Sequence, residues 1–343
     1  MNFKILLTSV GGEYSPNLIL SIKNDIKISS KIIGTDIKKD AIGKNFCDFF
    51  YQVPKANNKN YIKKIALICK KNKIDLVLPT SDEEAYTLSK NRKFIENNKT
   101  KLACTDFNTI KIFNSKKATY EKLKQFNIST PEYIIIKKSS LLDIEINKML
   151  KKYREIVIKP SIARGGRNVF IISNKTKGFK IFDDRREIIT DLKNFRSKFK
   201  KDLKKSYPLI IMNKLKEPAY DLDMLAWKGR PLRIIPRKRF HSSIPNDGHI
   251  IVNNQNLIEL GKKIISKFKL SWLYDCDIMY DQNNKPQILE INPRPSGSII
   301  VSICAGVPLI RDLLFLSKGL KIKKLKLPFN KRIISYKNTY QIN

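Results

Sequence analysis

The chain has 343 residues, 42% of them hydrophobic, with 68 Lys and Arg against 31 Asp and Glu, a formal net charge of +37. That hydrophobic content excludes wholesale disorder, and the length allows two or three subdomains with cores of their own. The lysines are spread along the whole chain among abundant Ile and Asn, as codon bias in an AT-rich genome would produce; with no aromatic-basic RNA motif, zinc finger or heptad array beside them, a nucleic-acid role rests on charge alone.

Residues 1–108 alternate strands and helices. Lys4–Ser9 reads as an apolar strand ending at Gly11-Gly12, Ser15–Asn24 as a helix with Pro16 in its first turn, and Lys31–Thr35 as a strand ending in Asp36. Tyr61–Asn72 has helical spacing, and Ile74–Pro79 is a strand leading into Thr80-Ser81-Asp82-Glu83-Glu84, the start of another helix. This alternation predicts a parallel sheet with helices on both faces, and so a ligand crevice beyond the strand ends at Val10–Glu13, Asp36 and Thr80–Glu84. There is no G-x-G-x-x-G.

Thr109–Phe126 reads as one helix with Lys116 and Lys117 early in it. Glu155–Pro160 is a strand, Ser161–Arg167 a loop with Gly165, Gly166, Arg164 and Arg167, and Asn168–Ile172 the returning strand. Glycines let backbone N–H groups converge on an anion, and arginines add forked, permanent donors, so this hairpin suits phosphate. Lys159 sits in the apolar strand, where an ammonium needs an anionic partner. Phe182–Lys205 is highly charged and expected to be helical. Pro208–Lys214 and Tyr220–Trp227 read as strands. Arg230–His241 is a basic strand in which Arg237 and Arg239 share a face. Two histidines, His241 and His249, are too few for an acid–base relay. Leu257–Phe268 is helical.

Asp277–Tyr280 and Gln287–Asn292 read as two strands joined by the polar turn Asp281–Lys285. If they pair, Asp277, Glu290 and Asn292 lie on one face as hard oxygen ligands suited to Mg²⁺ that also holds phosphate. The apolar stretch from Ile299 to Leu316 is interrupted by Arg311 and Asp312, so no membrane span is expected. The five cysteines (Cys47, Cys69, Cys104, Cys276, Cys304) are widely spaced with no C-x-x-C, which argues against a disulfide framework or zinc site and for a reducing, cytoplasmic setting.

The run Glu290-Ile-Asn-Pro-Arg-Pro-Ser-Gly-Ser298, continuing through Ala305–Leu309, resembles the metal-binding segment of the ATP-grasp superfamily, most of all the carbamoyl phosphate synthase large subunit and its single-copy relatives. Asn114-Ser115-Lys116-Lys117…Ile128-Ser129-Thr130-Pro131 resembles its D-K…G-I-x-x-P segment, with Ser115 in place of Asp and Asn127 in place of Gly. The resemblance implies an α/β fold, α+β in its ATP-grasp part. It divides the chain into an N-terminal parallel-sheet pre-ATP-grasp domain (1–108), a small lobe with the phosphate lid (109–211), a large lobe with the metal site (212–326) and a polar tail (327–343).

It further implies ATP and Mg²⁺, with Mn²⁺ able to replace it. ATP would meet Lys116, Lys159, Gly165, Gly166, Met212, Asn213, Lys214, Leu215, Glu217, Met279 and Leu289, with Val157 and Phe170 helping to wall the adenine pocket. Asn213 and Ala219 stand where the family carries acids, which leaves the ribose partner open, with Glu217 as a substitute. Lys159, Arg167 and Arg294 would act on the transferring phosphate, and Arg237, Arg239, Glu83 and Ser296 on the substrate. The implied activity is ATP-dependent joining of a small-molecule carboxylate to an amine through an acyl phosphate, with a bicarbonate-using carboxylase or carbamoyl-phosphate-type enzyme as the alternative. No specific nucleic acid and no membrane partner is expected; a homodimer is compatible with the sequence.

Overall fold

The computed structural model describes residues 2–96, 99–162, 168–182, 187–336 and 338–341. Its first layer is a parallel sheet of β1 (Asn2–Leu7), β2 (Ser29–Asp36), β3 (Phe49–Gln52), β4 (Leu76–Leu78) and β5 (Lys101–Leu102), in the order β3-β2-β1-β4-β5. It is connected through α1 (Ser15–Lys23), α2 (Tyr61–Asn72), α3 (Asp82–Lys90) and α4 (Arg92–Glu96). The chain runs outward from β1 in both directions, so the strand order reverses between β1 and β4, where open α/β sheets bind ligands. Alternation along β1 serves two cores. Phe3, Ile5 and Leu7 face one, and Leu6 faces the other with Ile33, Val77 and Tyr61.

A second sheet holds β6 (Tyr133–Ile136), β7 (Glu155–Pro160), β8 (Val169–Ser173), β9 (Phe179–Lys180), β10 (Glu187–Thr190) and β11 (Leu209–Asn213), in the order β6-β11-β7-β8-β10-β9. Around it lie α5 (Phe107–Phe113), α6 (Lys116–Gln125), α7 (Leu142–Lys152) and the single turn α8 (Leu192–Asn194). The third sheet is antiparallel: β12 (Lys216–Trp227), β13 (Arg230–Arg239), β14 (Gly248–Ile251), β15 (Trp272–Tyr280), β16 (Pro286–Asn292) and β17 (Arg332–Ile334), in the order β16-β15-β12-β13-β14-β17. It carries α9 (Gln255–Lys267), α10 (Ile299–Cys304) and α11 (Leu309–Ser317).

Several expectations are corrected. The single helix over 109–126 is two, because the Ser115 side chain accepts the Ala118 N–H (3.4 Å) and starts α6 afresh. The expected helix over 182–205 instead holds strand β10, whose Ile188, Ile189 and Thr190 favour extended backbone, followed by short helical turns begun by the Asp191 cap on the Asn194 N–H (2.7 Å). The division at 211/212 falls inside β11. Residues 327–343 are more than a tail: β17 closes the edge of the third sheet, with Ile333 opposite His249. The loop Ala163–Arg167, expected to cover phosphate, lies outside the described residues, and with it Arg164, Gly165, Gly166 and Arg167.

Candidate active site

Four adjacent strands build one polar face. Asp221 of β12 stands opposite Arg237 of β13 and Asp277 of β15, and Asp277 opposite Glu290 of β16. Two residues along, and so on the same face, Asp223 pairs with Asp275 and Asp275 with Asn292. The hairpin thus brings Asp277, Glu290 and Asn292 to one face. Asp221, Asp223 and Asp275 join them and were missed in the sequence. The signal was there, since Asp221-Leu-Asp223 and Asp275-Cys-Asp277 each alternate acid and hydrophobe with the period of a strand.

Two arginines balance these acids. Arg237 is fully buried; it donates to the Ser298 carbonyl (2.8 Å) and Oγ (2.9 Å) and to Asp223 Oδ1 (3.0 Å). Arg239 donates through Nε to both oxygens of Asp221 (3.0 and 2.9 Å) and through Nη2 to Asp277 Oδ1 (3.1 Å). Burial works against ionisation of Asp221, but Arg239, aided by His249, holds its carboxyl well below the usual range. Asp275 has weaker partners, with Arg237 Nη2 3.6 Å from its Oδ1. Burial, then Asp277 and Asp221, push it well above. Asp277 is pushed up to about 6, by burial first and by Asp221 and Glu290, against the pull of Arg239.

An oxygen-loving cation fits the open side of this face. The Asp277 and Glu290 side chains keep 29% and 24% exposure, so they can meet an incoming ion. Asn292 donates its amide N–H to Asp275 Oδ2 (3.2 Å), which leaves its oxygen as an acceptor. One buried oxygen of Asp275 has no hydrogen-bond partner among the described residues. All the donors are oxygen, the set that Mg²⁺ and Mn²⁺ take. Asp221, Asp275 and Asp277 also approach within 4.8 Å of one another, but there Arg239 already supplies the positive charge.

Two lysines approach from the second sheet's side. Lys116 begins α6; its Nζ lies 3.1 Å from Glu290 Oε2, and its backbone N–H donates to the Ser161 carbonyl (3.3 Å) at the end of β7. Lys159 of β7 is pushed down to about 8, by burial first and then by Lys116, with Glu290 and Asp277 opposing. Tyr120 of α6 donates to the Leu289 carbonyl (2.9 Å) and ties α6 to the hairpin.

Beside these groups Met212, Leu215, Val157, Met279 and Leu289 belong to one apolar cluster, of the kind that would take a flat base. Phe170 does not join them. It packs with Phe195 and Phe199 on the other face of β8, because it stands opposite Ile158, whereas Val157 and Lys159 point the other way. The Asn213 side chain is engaged by its own fold, its Oδ1 accepting the Glu132 N–H (2.9 Å), and its backbone N–H donates to the Glu132 carbonyl (3.2 Å). Lys214 pairs with Glu155 (3.4 Å), and Glu217 is exposed at the start of β12.

Arg294 extends the site toward the first sheet. Its Nε lies 3.3 Å from Asp82 Oδ1 at the start of α3, and it donates to the Pro295 carbonyl (2.9 Å). Burial disfavours its charge, but Asp82, Asp275, Glu290 and Asp277 outweigh this and hold it protonated. The expected substrate role of Arg237 is corrected: with no exposure it holds the Ser298 loop from below. Arg239 is committed to Asp221 and Asp277. Ser296 is buried and accepts the Ser298 N–H (3.1 Å), and Glu83 is exposed on α3.

Fold and site together are those of an ATP-grasp domain with a parallel-sheet domain before it. Residues 205–340 match the family described as ATP-grasp in the biosynthetic pathway with Ter operon, and residues 5–103 match the PylC-like N-terminal domain; the chain carries both. No curated protein matches it. Among solved structures it resembles N5-carboxyaminoimidazole synthetase from Staphylococcus aureus complexed with ADP (16% identity, TM-score 0.70, 97% of this chain and 81% of that one). It also resembles L-amino acid ligase from Bacillus licheniformis (11%, TM-score 0.64, 91% and 74%) and biotin carboxylase from Campylobacter jejuni (15%, TM-score 0.63, 94% and 72%). At these identities the likeness establishes the shared fold. No helix among the described residues is long and apolar enough to cross a membrane.

Proposed function

We propose that the chain is an ATP-dependent ligase that activates a small-molecule carboxylate as an acyl phosphate, releases ADP, and passes the acyl group to an amine. The observation that carries this reading is the convergence of Lys116, Lys159 and Arg294 on the oxygen face of Asp277, Glu290 and Asn292. Lys116 and Lys159 would bind and orient the phosphates. Arg294, kept charged by its acidic neighbours, would meet the negative charge that develops as the substrate carboxylate attacks the γ-phosphate. The cluster of Val157, Met279 and Leu289 would seat the base and keep water from it. Asp277, Glu290 and Asn292 would hold a divalent cation, which supplies charge neutralisation and alignment of the phosphates. The likeness to biotin carboxylase favours bicarbonate as a second candidate for the carboxylate.

A screen of ADP release over amino acids, hydroxy acids and bicarbonate, each with and without amines, tests this. Amine-dependent ADP release with a carboxylic acid is the expected result; release with bicarbonate alone would favour the carboxylase. Glu290→Gln keeps shape and removes charge, and should lower turnover at least ~100-fold, as the loss of a metal ligand does. Turnover near wild type with unchanged Mg²⁺ dependence would remove Glu290 from the site.

A further inference from the structure

The ion pair between Lys116 and Glu290 joins two groups that the reaction needs apart. Resting on the nucleotide reading above, we infer that this pair makes the site selective for the metal–nucleotide complex over either metal or nucleotide alone.

Lys116 opens a ten-residue helix whose first turn has no acid and a second lysine beside it. A cation at a helix N-terminus is disfavoured by the helix dipole, so its ammonium is driven to the nearest anion. That anion is Glu290, 3.1 Å away, with the two side chains 11% and 24% exposed. So enclosed, the pair is screened less than one on the surface. Asp277 stands opposite Glu290, and Lys159 feels both acids and Lys116. Arg239 also donates to Asp277 (3.1 Å), so both acids are met by a cation before any ligand arrives.

A metal ion entering alone finds Glu290 already neutralised and must displace Lys116 into a site where Lys159 repels it. A triphosphate entering alone must draw Lys116 away and leave Glu290 and Asp277 facing its own oxygens. When both enter, one pair is exchanged for two: Glu290 with the cation and Lys116 with phosphate. The cost of opening the pair is then borne once for two ligands, which is a coupling free energy between them. Direct contact between metal and phosphate adds coupling of its own, so the role of the pair has to be read from each ligand singly.

In the full-length protein, Mn²⁺ binding without nucleotide is followed by electron paramagnetic resonance, and binding of ATP in excess chelator by calorimetry. Lys116→Met should bind bare Mn²⁺ at least ~5-fold tighter than wild type, the lower end of typical coupling. Lys159→Met, which removes a neighbouring positive charge, should change it less. Glu290→Gln should bind metal-free ATP at least ~5-fold tighter. Unchanged affinities in Lys116→Met and Glu290→Gln, each with a wild-type circular dichroism spectrum, would overturn the inference. So would equal effects of Lys116→Met and Lys159→Met, which would reduce the pair to charge acting at a distance. Wild-type protein that binds no ATP even with Mg²⁺ would instead remove the nucleotide reading, and this inference with it.

Discussion

Lys159 shows what burying an ammonium costs at the scale of one residue. Its ammonium titrates at about 8 in the fold, against 10.5 for an ordinary lysine, because burial and Lys116 disfavour the charge. The unfolded chain therefore binds more protons between these values, and this group makes the fold more stable as pH rises from about 8 to 10.5. Below about 8 the penalty is fully present. Lys159→Met should accordingly stabilise the ligand-free protein at pH 7, on the order of 1–3 kcal/mol after allowance for solvent screening, with the difference shrinking toward pH 10. Urea unfolding at both pH values measures it; a variant less stable than wild type at pH 7 would mean that Glu290 and Asp277 already offset the burial. Wild-type nucleotide affinity should begin to fall above pH 8, where ordinary lysines stay charged. The tension was legible in the sequence, since a lysine stands in an apolar strand. The second ammonium that sharpens it, Lys116, arrives from an element 43 positions away and could not be read from local spacing.

At the scale of elements, β12, β13, β15 and β16 behave as one polar plate inside an apolar frame. Arg237 is its hub, bound to Asp223 and Ser298, while Ser302 of α10 donates to the second oxygen of Asp223 (2.6 Å). Removing one member of a buried pair leaves the other uncompensated. Arg237→Met should therefore cost about 3–5 kcal/mol, and Arg237→Met with Asp223→Leu should recover much of the loss. Denaturant unfolding of the two variants decides this; a double variant no more stable than the single would show that the Ser298 tether matters more than the charge pair. The sequence showed that Arg237 and Arg239 share a strand face, and this holds. It could not show that α10 would close over one of them, because that depends on a contact between residues about sixty positions apart. The Ser115 cap is a local lesson: a Ser amid helix formers broke one expected helix in two by a side-chain bond that periodicity does not see.

The whole molecule is joined by a core that ignores the order of the chain. Phe3, Ile5, Leu7 and Leu76 of the first sheet share a cluster with Leu225 and Ile235 of the third and with Ile299, Val301, Leu309 and Leu313 near the C-terminal end. Ion pairs cross the same seam: Arg311 with Asp25 (2.8 Å), Lys318 with Asp75, and Arg294 with Asp82. The N-terminal sheet and the third sheet should consequently melt in one transition, and Leu313→Ala, which opens a cavity in the shared core, should lower stability by about 2–5 kcal/mol throughout. Calorimetry showing two well-separated transitions, with only one shifted by Leu313→Ala, would contradict this. The strand–helix alternation made the first sheet readable, and the motifs made the ATP-grasp part readable. The seam was not, since its hydrophobic faces carry no mark of which partner they await. Excess lysine finds use here as well. Lys31 lies over Phe49 (4.6 Å), Lys44 over Phe50 (6.0 Å) and Lys71 over Tyr51 (5.9 Å), so the aromatic side chains of edge strand β3 are screened by charge.

The shared seam also sets a timetable for synthesis. The strands of the first sheet leave the ribosome early, yet the α10 and α11 surfaces that cover one of its faces are made some two hundred residues later, roughly 10–40 s at ~5–20 residues per second. For that interval α1 shields the Phe3, Ile5 and Leu7 face through Leu18, Ile19 and Ile22, but the apolar surface that α10 and α11 will meet stays open on the nascent chain. Production of this protein should therefore depend on holdase chaperones during translation more than its final stability would suggest. Slowing elongation between residues 108 and 299 should send more of it into aggregates, while the same slowing after residue 317 should not.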